Sequence, residues 1–165
     1  MNDTIHIHIC PIKEFYLWVE QMEDYQRVAA VLCTTNDIEY YKLTGLQYLH
    51  VSFADITDEA RLDAFRLEQA TRFRDFVDNL LDGTDLYLCC DSGESRSAAL
   101  AAALMHYLGQ DEMVVWKNIK YHPNPLTYYI QSIACGLSIT REDAQELAEY
   151  NRALFHKAIS RQRNG

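Results

Sequence analysis

The chain has 165 residues, of which 48% are hydrophobic and 12% aromatic, which suits one domain with a sizeable core. The formal net charge of −9 disfavours nucleic acid and anionic membrane surfaces as partners, because both call for a basic patch. The five cysteines are odd in number and lack a framework spacing, so they indicate a reducing compartment rather than a disulfide scaffold.

No apolar segment of the signal-peptide kind follows the first residues, and no run of about eighteen apolar residues occurs anywhere in the chain. No repeat, low-complexity tract or linker divides the sequence. We therefore expect a single cytoplasmic domain over residues 1–165, with no membrane span.

In the first half of the chain, short apolar runs alternate with tracts of helical spacing. The runs of strand length are residues 4–10, 28–33, 46–53 and 85–90, and the helical tracts are 13–22 and 59–83. One side of the second tract is predicted to be lined by Leu62, Phe65, Leu67, Phe73, Phe76, Val77, Leu80 and Leu81. This alternation predicts an α/β fold with a mostly parallel sheet of about four to five strands flanked by helices.

The second half of the chain has helical patterns only. Helices are predicted over residues 95–108, 112–121 and 126–135, each ended by glycine or proline. A last helix is predicted to follow Thr140, which forms a capping-box-like start with Asp143.

The stretch CCDSGESRS, residues 89–97, joins the last predicted strand to the first of these helices. A strand-loop-helix turn gathers backbone N–H groups into a concave nest at the positive end of a helix, which suits a phosphate and lowers the pKa of a thiol. Cys90 would then be a thiolate nucleophile, and Gly93 would let the loop curl. Arg96 would grip the phosphoryl oxygens, and Ser97 would donate a hydrogen bond to the sulfur.

Spacing alone does not identify this site, because Cys135 and Arg141 are also six residues apart. Cys135, however, ends a predicted helix, whereas Cys90 follows a strand and precedes a helix. Gly93 and Ser97 also stand at the required places in the loop. The probability that the whole pattern arises by chance is therefore below about one in a hundred. We therefore choose Cys90.

The stretch resembles the HCxxGxxRS signature of the cysteine-dependent protein tyrosine and dual-specificity phosphatases, with matches at Cys90, Gly93, Arg96 and Ser97. Upstream, YLHVSFADITDEA resembles the general-acid loop of that family, and downstream, HPNPL resembles a segment of its bacterial dual-specificity-like members. The likeness covers most of residues 5–136. It implies a phosphatase-like fold and a phosphocysteine intermediate, without a cofactor or a metal. The residues implied to bind the substrate phosphate are Asp91, Ser92, Gly93, Glu94, Ser95 and Arg96.

Two aspartates compete for the role of general acid, which protonates the leaving oxygen and then deprotonates water. We favour Asp55, because the acid must lie on the loop, and we assign Asp58 to the N-cap of the helix that follows. Asp58 remains the alternative acid.

Two departures from the family's pattern bear on activity and substrate. Cys89 replaces the usual histidine, which helps to orient the loop and tune the thiol. Asp91 and Glu94 stand where phosphoinositide-directed relatives carry lysines, so like-charge repulsion disfavours a highly phosphorylated lipid or inositol. We expect a phosphorylated protein or a small phosphomonoester as substrate. The alternative is a catalytically weakened phosphate-binding module, a pseudophosphatase.

Two further groups of residues have alternative interpretations. His6 and His8 share one strand face, but no further ligands follow at a suitable spacing, so we expect a polar sheet face and no metal. Tyr40 and Tyr41 either wall the substrate mouth or belong to a surface loop packed by its own tyrosines.

Overall fold

The computed structural model describes residues 5–164, so the predicted strand residue Thr4 lies outside the described part. Four strands and six helices follow one another, with a short 3-10 turn at Tyr40–Leu43. The strands are β1 His6–Pro11, β2 Val28–Cys33, β3 Gln47–Val51 and β4 Asp85–Cys90. The helices are α1 Ile12–Gln21, α2 Leu67–Asp78, α3 Arg96–Tyr107, α4 Met113–Trp116, α5 Pro125–Ala134 and α6 Arg141–Arg163.

The four strands form one parallel sheet in the order β1-β4-β2-β3. In the register, Cys90 at the end of β4 lies opposite Pro11 and Cys33, and Cys33 lies opposite Val51. The carboxyl ends of all four strands therefore meet at one edge, where open parallel sheets bind ligands. The predicted α/β class and parallel sheet are confirmed.

Both faces of the sheet are covered, and helix α3 is the most deeply buried element on its face. Every residue from Arg96 to Met105 is buried, because the many alanines let the helix pack closely against the sheet and α5. Helix α1 covers the other face, together with the 3-10 turn. The first turn of α3 is thus held rigidly at the sheet edge.

The helix predicted over residues 59–83 begins later than expected, at Leu67. Residues 52–66 form a loop, here called the acid loop, which a hydrogen bond from the Ala54 N–H to the Asp63 carbonyl closes at 2.7 Å. Phe65 is buried against Phe53, with ring centroids 4.5 Å apart. These tertiary contacts outweigh the helical periodicity. Three residues of the predicted apolar side are exposed: Leu62, Leu67 and Leu81.

The helix predicted over residues 112–121 is also shorter, and α4 covers only Met113–Trp116. Asn151 of α6 donates through its Nδ2 to the carbonyls of Trp116 and Tyr121, both at 2.9 Å. Because these carbonyls are bound from outside, the chain between them turns instead of continuing the helix. The segment that follows is thereby fixed beside the sheet edge.

Helix α6 begins with the predicted capping box. Thr140 Oγ1 accepts from the Asp143 N–H at 3.0 Å, and Asp143 Oδ2 accepts from the Thr140 N–H at 2.9 Å. The hydrogen bond from that N–H lowers the pKa of the Asp143 carboxyl. Although α6 is the longest helix described, neither it nor any other helix within residues 5–164 combines the length and apolarity needed to cross a membrane.

Candidate active site

The signature loop, residues 90–97, connects the end of β4 to the first turn of α3. Gly93 has a φ of +69° within it. A Cβ atom there would lie 2.5 Å from the Pro11 nitrogen and 2.6 Å from the Cys10 carbonyl carbon. Glycine is therefore required twice, for the left-handed backbone and for the close packing of the loop against the end of β1.

Cys90 is enclosed by this loop and is only 1% exposed. Its Sγ lies 3.1 Å from Ser97 Oγ. Burial by itself would raise the pKa of the thiol, but hydrogen bonds from the Ser97 hydroxyl and from the backbone N–H groups of Ser97, Ser95 and Gly93 outweigh it. The pKa of Cys90 is therefore lowered, which favours the thiolate.

Arg96 is buried and firmly held at the start of α3. Its Nη1 donates to the Phe53 carbonyl at 2.8 Å, and its Nη2 donates to Asp91 Oδ2 at 2.9 Å. The other carboxylate oxygen of Asp91 accepts from Thr34 Oγ1 at 2.8 Å. The buried Nε of Arg96 has no hydrogen-bond partner among the described residues. An anion in the loop would satisfy this donor.

Asp55 of the acid loop lies against the signature loop. Its Oδ1 accepts from Ser95 Oγ at 2.7 Å and from Asn124 Nδ2 at 2.8 Å. Asn124 Nδ2 also donates to the Ile56 carbonyl at 3.0 Å, which fixes the backbone next to Asp55. The structure thus brings Asp55 together with the loop that carries Cys90, although these segments are distant in sequence.

Asp58 does not have the role that the sequence predicts for it. No helix begins beside it, and its carboxylate accepts from the Ala60 N–H at 3.0 Å within a turn of the acid loop. The N-cap of α2 is instead Arg66. The assignment of Asp58 as a helix N-cap is therefore wrong, because the predicted first turns of the helix do not form.

For the remaining residues that the resemblance implies, Asp91, Ser92, Glu94 and Ser95, phosphate binding stays a prediction. The side chains of Asp91, Ser92 and Glu94 are exposed, and the Glu94 carbonyl accepts from the His122 N–H at 2.8 Å. The Ser95 carbonyl accepts from the Asn124 N–H at 3.3 Å. Residues 122–124 therefore support the outer side of the loop.

Cys89, which stands where the resembled signature has histidine, points away from Cys90. It belongs to the core on the α1 face of the sheet, whereas Cys90 belongs to the core on the α3 face. Its Sγ lies 3.5 Å from the Sγ of Cys10. Burial, with a further contribution from the hydrogen bond to Cys10, raises the pKa of Cys89 well above its ordinary value. Cys89 therefore stays a neutral thiol.

Thr34 and Asn124 belong to the site although the sequence analysis did not single them out. Thr34 directly follows the carboxyl end of β2. Because the carboxyl ends of parallel strands share one sheet edge, its place in the sequence could have predicted that it lies at the site. Asn124 stands between two prolines and caps α5, because its Oδ1 accepts from the N–H groups of Leu126 and Thr127. Its hydrogen bond to Asp55 could not be predicted from the neighbouring sequence, because the two residues are far apart in the chain.

Comparison with known proteins adds distant similarities in structure. No protein-family profile matches the sequence, and no curated protein matches it. A crystal structure of PTPMT1 in complex with PI(5)P is 18% identical, with a TM-score of 0.42 over 94% of this chain and 95% of that chain. Tk-PTP in the active form is 15% identical, with a TM-score of 0.42 over 93% of this chain and 92% of that chain.

These solved structures have a fold of the cysteine-dependent protein tyrosine phosphatase type. This is the family whose signature residues 89–97 resemble. The narrower resemblance to bacterial dual-specificity-like members stays a prediction. At such identities and TM-scores, the activity of this chain has to be inferred from its own residues.

Proposed function

We propose that this protein is a phosphomonoester hydrolase that acts through a phosphocysteine intermediate on Cys90. The observation that carries the proposal is the convergence on one buried thiol of the Ser97 hydroxyl and three backbone N–H groups, beside a buried Arg96 Nε without a partner. Such a cluster of donors suits the oxygens of a bound phosphate.

In the first half-reaction, the Cys90 thiolate attacks phosphorus and the bond from phosphorus to the leaving oxygen breaks. Arg96 and the backbone N–H groups of the loop hold the equatorial oxygens, where charge accumulates. Asp55 gives its proton to the leaving oxygen. Both hydrogen bonds to Asp55 reach Oδ1, which leaves Oδ2 to carry that proton.

In the second half-reaction, water attacks the phosphocysteine and the sulfur-phosphorus bond breaks. The Asp55 carboxylate takes a proton from the water, and inorganic phosphate leaves. The sulfur departs as a thiolate, which the Ser97 hydroxyl and the loop N–H groups stabilise as they do in the free site. The products are an alcohol or phenol and phosphate, and no metal takes part.

A phosphate-binding module without turnover is the second candidate, and one contact favours it. The Asp91 carboxylate is bound to Arg96 Nη2 inside the loop, where it competes with phosphate oxygens for the guanidinium. Nε and the second hydrogen of Nη2 stay available for an anion. The module would bind phosphate or vanadate at the same loop but would hydrolyse nothing.

The deciding experiment is the hydrolysis of a small aryl phosphate at several pH values, with a chelator present and no metal added. After rapid acid quench, mass spectrometry of the peptides should locate one phosphate on Cys90. Turnover with this adduct supports the hydrolase. Binding of vanadate without turnover would support the module, and the absence of both binding and turnover would refute both candidates.

A further inference from the structure

A groove of about 430 Å³ opens directly beside the acid. Asp55 and Ser95 line it on the side of the signature loop, and its other lining residues include His122, Arg152, Phe155 and His156. Three of these four residues come from α6, at positions i, i+3 and i+4, which lie on one side of a helix. The groove is thus continuous with the signature loop and walled by the last helix.

Hydrogen bonds to residues outside the groove, and one ring contact within it, hold its walls in place. Asn151 of α6 binds the carbonyls of Trp116 and Tyr121, and the His122 N–H binds the Glu94 carbonyl. The ring of His122 packs edge-on against Phe155, with centroids 4.7 Å apart. A surface fixed in this way needs little rearrangement to bind a ligand.

The α6 wall of the groove carries one cation, Arg152. The guanidinium of Arg152 has no hydrogen bond or ion pair with any residue in the range 5–164, although the chain carries a net charge of −9. Asp55 is the only acidic residue among the lining residues, and it lies at the end next to the signature loop. An unpaired guanidinium beside aromatic rings suits a carboxylate or a phosphate.

A second groove, on the other side of the signature loop, has the opposite character. It has a volume of about 530 Å³, and Asp37, Glu39 and Asp91 line it together with a single cation, Lys13. An anionic group would be repelled there. It does not contain Asp55, so the leaving group that receives the proton belongs in the Arg152 groove.

We infer that the groove lined by Arg152 binds the leaving-group part of the substrate and selects phosphomonoesters whose alcohol or phenol carries a second anionic group. This inference rests on the proposed hydrolase. Arg152 contacts the second anion, and Phe155 and His122 contact the apolar part between the two anions. The preferred substrate is therefore an ester with one phosphoryl group in the signature loop and one carboxylate or phosphate near α6.

The test compares para-carboxymethylphenyl and para-carboxyethylphenyl phosphates with their neutral amide counterparts. The methylene groups insulate the phenol, so each pair has nearly the same leaving group and differs only in the remote charge. The wild type should prefer each acid over its amide by about fivefold in kcat/KM, the effect of a partly exposed ion pair. Arg152→Gln should abolish this preference by lowering kcat/KM for the acids to the values of their amides.

Arg161→Gln is the matched control, since it removes one exposed cation from the same helix outside the groove. It should keep the preference, and Arg152→Lys should keep most of it. Equal rates for acids and amides in the wild type, or an unchanged preference in Arg152→Gln, would overturn the subsite and leave the hydrolase intact. If neither acids nor amides were hydrolysed, the proposed function itself would fall, and this inference with it.

Discussion

Two segments of this chain carry a cysteine six residues before an arginine, and they lie in opposite surroundings. Cys90 ends a strand and is followed by the first turn of α3, whereas Cys135 follows the last residue of α5. The amino end of a helix is positive and the carboxyl end is negative, so the first position stabilises a thiolate and the second does not. Burial raises the pKa of Cys135, whereas at Cys90 the hydrogen bonds from Ser97 and the loop N–H groups outweigh burial and lower the pKa.

The two arginines differ in the same way. Arg141 is occupied on the surface, where it pairs with Glu59 through both terminal nitrogens and lies over the Tyr129 ring at 4.5 Å. Arg96 is buried and keeps its Nε without a partner among the described residues. Both cysteine–arginine pairs have the same spacing in sequence. Only the structure around each pair distinguishes a candidate anion site from a helix end.

The strongest test of this difference is the loss of each thiol in turn. Cys90→Ser should reduce the hydrolysis of aryl phosphates by at least about ten-thousandfold, because a serine hydroxyl in this site is not ionised at neutral pH. Cys135→Ser should stay within about twofold of the wild type. Both rates are measured at saturating substrate, with circular dichroism as the check on folding. A folded Cys135→Ser protein without activity would show that the wrong thiol has been chosen.

The second test concerns Asp55, the acid proposed for the Cys90 site. Asp55→Asn should slow the hydrolysis of an alkyl phosphate by about a hundredfold and that of an activated aryl phosphate much less, since a poor leaving group needs the proton. Asp58→Asn is the matched control, because an amide oxygen can keep the hydrogen bond from the Ala60 N–H. The assignment of the acid would be wrong if the leaving-group dependence appeared in Asp58→Asn and not in Asp55→Asn.

The third test compares the glycines of the two segments, both of which have positive φ. Gly93→Ala should destabilise the protein by about 3 kcal/mol, for two reasons. The added methyl group overlaps the backbone of Pro11 and Cys10. Alanine also pays the cost of a left-handed backbone conformation. Gly136→Ala should cost about 1 kcal/mol, since no atom lies within 4 Å of its Cβ position. Urea unfolding measures both values. Equal losses would contradict the close packing of the signature loop against β1.

The smallest expected effect concerns the reactivity of the thiols toward iodoacetamide. A lowered pKa keeps Cys90 ionised to lower pH than an ordinary thiol, and a raised pKa keeps Cys135 protonated to higher pH. At pH 7 Cys90 should therefore be alkylated first, even though Cys135 is the more exposed. Ser97→Ala should slow the labelling of Cys90 about fivefold, which corresponds to the loss of one hydrogen bond, and should leave Cys135 unchanged.

Peptide mapping by mass spectrometry follows both sites in one sample. Inorganic phosphate should protect Cys90 and not Cys135. Faster labelling of Cys135 across the whole pH range would contradict the difference in pKa on which this comparison rests.

Much of the fold and part of the site could be predicted from local sequence patterns. The four strands, helix α3 and the capping box of α6 follow from periodicity and from end signals that lie within a few residues. The loop that contains Gly93 was recognisable for the same reason, because strand, glycine, arginine and helix are adjacent in the chain. These features depend on contacts between near neighbours, so the order of residues is enough to indicate them.

Other features depend on segments that only folding brings together. Asp55 meets Ser95 and Asn124 across 40 and 69 residues, and the Phe53 carbonyl meets Arg96 across 43. Residues 59–66 have a helical pattern but form no helix, because Phe65 packs on Phe53 instead. The hydrophobic periodicity of the segment does not predict this contact. By itself the sequence determined where the thiol and its loop lie. The tertiary structure alone decided which carboxylate faces that loop and which groove adjoins it, because those contacts arise from the packing of distant segments at one sheet edge.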